Sequence, residues 1–395
     1  MLPFAAAALL QSGPALDPIA DRYRGAAPGM GLDYEPRQGY LRSLLKQLKI
    51  DPSSQVLVFS KGSLQADFIS PKTPRALYFN EHTYVGWIPG APLIEIMTVH
   101  PKYGSYFYTL PNRSSDGQTF KRETTECFRC HGGRGTDQIP ALLARSEATG
   151  PSGYARPFDR THIVTPELPL KNRWGGWYVT GSHGSQRHMG NEIAEGTDEK
   201  HFTDVEKGAN VLDLRKYVDV KPYLTPHSDI VALMVMEQQM DVQNTLSRTA
   251  TRVRTLLRRA GLTEDGLPDG EVRATIRRAC EPLVEALLCR GEVALTSPIK
   301  GTSGFAVMYE GSAPRDTKGR SLSQLDLKTR LLKHPCSPLI YSASFDALPT
   351  AAKRETLTRM VEILSGLNEY DHLTAADRAS LLEILRETKP GFPTS

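Results

Sequence analysis

The residues with the clearest chemical pattern are Cys127-Phe128-Arg129-Cys130-His131. Two thiols separated by two residues can add to neighbouring vinyl groups of one porphyrin as thioethers, and the histidine that follows is directed under the metal as its proximal ligand. With five cysteines and ten histidines in 395 residues, this spacing arises by chance in roughly one shuffled chain per thousand. The competing chemistries are a structural zinc site, with Cys127, Cys130, His131 and a fourth ligand from elsewhere, and an unoccupied redox or structural thiol pair. Zinc is the poorer match. Adjacent Cys130 and His131 side chains do not readily converge on one small ion, and no second cysteine pair stands at zinc-ribbon spacing.

A second constellation runs from Arg173 to Asn191 and holds Trp174, Trp177, His183, His188 and Met189 among five glycines. Glycines let a backbone approach a flat ligand, indoles pack on porphyrin faces, and a thioether or imidazole can complete the coordination of iron. On this reading Trp174 and Trp177 contact the cofactor. Met189 or His188 is the first candidate for the sixth ligand, and His183 and His162 are further candidates. The alternative is a glycine-turned hairpin with aromatic packing. Met234, Met236 and Met240 could also offer a thioether, although methionines at helical spacing ordinarily fill a core. Lys121, Arg129 and Arg134 flank the motif, either as propionate partners or as solvated bases.

The segment Cys127-Phe128-Arg129-Cys130-His131 resembles the haem-attachment site of bacterial c-type cytochromes. The chain is unlike the small soluble carriers, with 126 residues before Cys127 and 264 after His131. Its layout looks more like that of a large bacterial cytochrome-c-type protein with one such motif. The resemblance implies one covalent haem c with its iron, assembly outside the cytoplasm, and transfer of single electrons to or from a redox partner protein. Two other functions stay open. One is a haem peroxidase or oxygenase with an open distal site, where Trp174, Trp177, His183 or Arg187 would handle oxygen-derived species. The other is a non-catalytic haem-binding scaffold.

The surrounding pattern predicts how such a site is held. Leu41, Leu44, Leu45 and Leu48 recur at helical spacing. Short β-branched or aromatic runs at 56–59, 76–79, 84–88, 93–96 and 106–108, separated by turn residues, predict an antiparallel β module over 21–111. Residues 112–226 show little periodicity and should be loop-rich, organised by the cofactor. Residues 227–395 should be mainly helical, with an irregular insert near 291–349 and helices over 228–262, 271–280, 282–288, 351–364 and 375–386, the last capped by Thr374. The expected fold class is therefore α+β.

Composition narrows the partners. There are 48 basic and 44 acidic residues, and this near-balance provides no strong positive stripe, so nucleic acid is not an expected partner. No run of about 18 apolar residues occurs, so no transmembrane span is expected. Residues 1–20 resemble a secretory leader in their apolar run Leu2 to Leu10 and the small residues near Ser12 to Ala15, but they lack a basic start. In an exported chain, Cys336 should bridge either Cys280 or Cys289.

Overall fold

The computed structural model describes Ile19 and residues 31–393, apart from 115–117, 134–135, 137–138, 157–158, 196–203 and 367–369. Arg134 and all of the leader except Ile19 lie outside the described residues. Ile19 itself is buried, in one apolar cluster with Leu32, Tyr40 and Leu41.

The fold is α+β. Helix α1 (Leu41–Leu48) buries the four leucines that its spacing singled out. Six strands follow: β1 (Val56–Val58), β2 (Arg75–Phe79), β3 (Thr83–Trp87), β4 (Leu93–His100), β5 (Gly104–Pro111) and β6 (Lys121–Glu123). They form an antiparallel sheet that β9 (Trp177–Tyr178) completes beside β1, in the order β6-β5-β4-β3-β2-β1-β9. Both edge strands thus come from the segment read as loop-rich. Periodicity could not reveal β9, because two residues carry no period.

Alternation assigns the two faces. One face carries Leu57, Ala76, Tyr78, Val85, Trp87, Ile94, Ile96, Tyr106 and Tyr108, all buried with α1 and with Leu214 and Tyr223. The other face is covered unevenly. Val56, Phe79, Tyr84 and Val99 are buried against the first turns of α3 (Ile230–Arg259), whereas Arg75, Leu77, Glu95 and Met97 stay half-exposed in mid-sheet. Helix α2 (Phe128–His131) lies over this second face, with Phe107 of β5 packing on both Phe128 and His131 at 5.3 and 5.0 Å between ring centroids.

Asp229 caps α3, accepting from the amides of Val231 and Ala232 through one oxygen and from Thr302 and Ser303 through the other. The first two turns of α3 are buried all round, so Met234, Met236 and Met240 are core residues. Its second half packs with α4 (Gly270–Leu287), α7 (Thr350–Leu364) and α8 (Ala375–Thr388), while the stretch between α4 and α7 holds only α5 (Phe305–Glu310), α6 (Ala343–Asp346) and a 3-10 turn at Pro338–Tyr341. Thr374 opens α8 in a capping box with Asp377.

Two expectations are corrected. The helices expected at 271–280 and 282–288 are one helix with Pro282 inside it. Burial of Cys280, Leu283, Val284 and Leu287 holds the helix through the missing amide. The disulfide is likewise absent, since all five cysteines are free. Cys280 is directed at the Ala352 carbonyl, 3.7 Å away, and Cys336 at that of Ser337. Cys289 follows α4 in a left-handed conformation (φ 54°). Among the described residues, no helix is long and apolar enough to cross a membrane.

Candidate functional site

Cys127 opens the single turn of α2, which ends at His131 and Gly132. The turn leaves Cys130 exposed and Cys127 half-buried, with Phe128 anchored below in the sheet. His131 Nδ1 lies 2.9 Å from the carbonyl oxygen of Ala141, whose own amide donates back to the His131 carbonyl at 2.9 Å. A carbonyl can only accept, so Nδ1 carries the proton and donates. The lone pair is then on Nε2, which has no hydrogen-bond partner among the described residues. The Ala141 carbonyl thereby sets both tautomer and ring orientation, the arrangement by which metal-binding histidines are commonly held. Burial lowers its pKa, and Arg75 and Arg145 act in the same direction, keeping the ring neutral.

The thiols have a different electrostatic setting. Burial, with Glu95, Glu123, Cys130 and Glu126 nearby, pushes the Cys127 thiol up to about 12. A zinc ligand or a reactive redox cysteine works as a thiolate. Burial and these carboxylates both favour the protonated form of the Cys127 thiol. No group of three or more His, Cys, Asp or Glu side chains among the described residues is arranged to hold a metal ion.

The half-exposed strip of the sheet faces the same side as α2. Leu77 pairs with Gly86 and Gly86 with Glu95, while Met97 lies opposite Phe107 in the next register. Arg75, ion-paired with Glu95 at 2.8 Å, retains an unpartnered buried Nε, and exposed Arg145 has no ion pair among the described residues. The strip thus carries Leu77, Gly86 and Met97 beside the Arg75–Glu95 ion pair, and Arg145 is the base near His131 that has no carboxylate partner among the described residues. Lys121 and Arg129, the flanking bases, are instead paired with Glu123 and Glu126.

The second constellation divides. Trp174 is 1% exposed, adopts a left-handed backbone (φ 67°), and donates its indole N–H to Glu237 of α3. Arg173 holds the other oxygen of Glu237 at 3.0 Å. Burial raises this carboxyl to about 7, with Arg173 and Trp174 pulling against the shift. His183 donates from Nδ1 to the Gln186 carbonyl at 2.8 Å and accepts at Nε2 from the Asn210 amide at 2.9 Å, so both ring nitrogens are used within the protein. His188 accepts at Nδ1 from Gly190, which places its proton on Nε2, and burial lowers its pKa to about 3. It packs on Trp174 and His183 at 5.2 and 4.7 Å. These five side chains form an interior cluster.

Met189 and Trp177 border β7 (Arg145–Ser146) instead. Trp177 donates to the Arg145 carbonyl at 2.7 Å, and Ser146 Oγ lies 3.9 Å from Met189 Sδ. Across the hairpin, His162 of β8 (His162–Ile163) pairs with Ser146 and is half-exposed, with no side-chain hydrogen bond among the described residues. Met189 and His162 thus both neighbour Ser146 of β7, next in sequence to Arg145. Sequence reasoning missed Ala141, Arg75 and Arg145, because a backbone acceptor and two remote arginines have no local motif. No known family, curated protein or solved structure matches the chain.

Proposed function

We propose that the protein is an extracytoplasmic monohaem c-type cytochrome, with haem attached to Cys127 and Cys130 and His131 as the proximal ligand. The observation that carries this reading is His131 itself, held through Nδ1 by a backbone carbonyl with Nε2 unpartnered, one residue after an accessible cysteine pair. When bound, the haem supplies an iron that exchanges one electron at a time. The chain's part would be to orient the imidazole and keep it neutral, to offer the apolar side chains Leu77 and Met97 as packing surface, and to hold Arg145 ready for a carboxylate. Met189 is the preferred sixth ligand and His162 the second choice, since His183 uses both ring nitrogens within the protein and His188 is buried against Trp174 and His183. A redox partner protein would approach the exposed edge at Cys130. Export is required by thioether assembly rather than by any disulfide.

The test is the mass of the protein produced with a haem-maturation system, after denaturation in acidified organic solvent. The polypeptide should keep the porphyrin mass, and Cys127→Ser with Cys130→Ser should release it. Extraction of all porphyrin from the unsubstituted chain would overturn the attachment. A high-spin ferric spectrum would shift the assignment to a peroxidase or oxygenase with an open distal position.

A further inference from the structure

The middle of α3 carries Asn244, half-buried between Gln243 and Thr245. Both ends of its amide are spent on the backbone of one residue 102 positions away: Oδ1 accepts from the Leu142 N–H at 2.8 Å, and Nδ2 donates to the Leu142 carbonyl at 2.8 Å. Only this orientation of the amide matches a donor to an acceptor on each side, so its oxygen and nitrogen ends are fixed. The N–H held in this way belongs to the peptide unit that joins Ala141 to Leu142. The carbonyl of that same unit accepts from His131 Nδ1 at 2.9 Å.

A peptide unit is a rigid plane, and this one is trans, so its N–H and C=O leave from opposite edges. Ala141 and Leu142 are 2% and 1% exposed, and burial of their side chains holds the two Cα atoms in place. It does not stop the plane between those atoms from turning about the line that joins them. Asn244 stops that turn from one edge, and the carbonyl on the other edge then keeps its direction towards His131. The bond to the N–H also polarises the carbonyl, which makes it a better acceptor for the imidazole. Asn244 is itself held by its neighbours, since Gln243 donates to Ser344 at 3.0 Å and Val242 and Leu246 are buried in the core.

We propose that Asn244 is a positioning residue for His131, acting through the Ala141–Leu142 peptide to hold the ring in its Nδ1–H form with Nε2 left for iron. Its purpose rests on His131 being the haem ligand, but the tautomer can be read without porphyrin. In the full chain produced without haem and isotope-labelled at histidine, imidazole nitrogen spectra at about pH 8, where the ring is neutral, should show His131 as the Nδ1–H tautomer. Asn244→Leu removes both bonds at similar volume and should give a mixture with the Nε2–H tautomer. Asn244→Asp keeps an acceptor for the Leu142 N–H but loses the donor to its carbonyl, so it should lower stability and yet retain the Nδ1–H form. A merely structural role would not separate stability from tautomer in this way. Asn244→Ala admits water to the freed backbone groups, serves where Asn244→Leu does not fold, and should show the same mixture. With haem attached, Asn244→Leu should raise the midpoint potential, because a weaker bond to the Ala141 carbonyl leaves a less basic ligand. The proposal is overturned if the Nδ1–H form persists alone in both Asn244→Leu and Asn244→Ala, if Asn244→Asp loses it as fully as they do, or if the unsubstituted chain lacks it. A potential unmoved by Asn244→Leu would also overturn it. Loss of porphyrin from the unsubstituted chain would overturn the haem reading alone, since the tautomer still decides the role of Asn244.

Discussion

The motif from Cys127 to His131 and the segment from Arg173 to Asn191 have similar texture in sequence, and the protein treats them in opposite ways. In the second, nearly every polar atom is answered internally. Trp174 and Arg173 hold Glu237, His183 spends both nitrogens, and Asn191 bonds Val179 in both directions as well as Gly208. In the first, one short turn sits on Phe107, its cysteines are accessible and its histidine keeps one nitrogen open. A cluster of histidine, tryptophan and methionine is therefore weak grounds for a site until it is known which atoms retain unfilled valence.

The largest effect that would sharpen this contrast belongs to the interior segment. Glu237→Leu leaves buried Arg173 and the Trp174 indole without their acceptor and should destabilise the apoprotein by about 3–5 kcal/mol, measured by urea unfolding. The double change Arg173→Met with Glu237→Leu should cost clearly less, since no charge is stranded. A double variant as unstable as the single one would mean that the pair matters through packing rather than charge.

The same carboxyl predicts a pH dependence. Its pKa is raised from 4.5 to about 7 on folding, so between these values the folded state retains a proton that the unfolded state has lost. Stability contributed by this group is fully present below pH 4.5 and declines as pH rises towards 7. Glu237→Gln should flatten that part of the stability profile, and an unaltered slope would assign it to other groups.

Next in size, His183→Ala removes two interior hydrogen bonds and should cost about 1–3 kcal/mol while leaving the haem spectrum as it was. Met189→Ala should reverse that pattern, with little loss of stability and conversion of low-spin to high-spin iron. If Met189→Ala leaves the spectrum unchanged and His162→Ala converts it, the sixth ligand is His162. The smallest effect is expected at the motif. Cys127→Ser with Cys130→Ser should change apoprotein stability by no more than about 0.5 kcal/mol, as expected for side chains outside the core. A large loss would mean that the thiols serve the fold.

Much of the architecture was legible because it rests on local periods. The four leucines of α1, the β-branched and aromatic runs of β2 to β5, and the cap at Thr374 each encode an element within a few residues. The Cys-x-x-Cys-His spacing is likewise local and suggests the haem reading without a fold. The tertiary structure alone decided what depends on residues far apart in the chain. It brought Ala141 to His131, left Leu77 and Met97 half-uncovered on the same side of the sheet, carried α4 through Pro282, left Cys280, Cys289 and Cys336 as free thiols, and turned His183 and His188 inward. The physical reason is that a motif fixes which atoms could react, whereas burial and hydrogen-bond partners supplied by distant strands and helices determine which of those atoms are left free to do so.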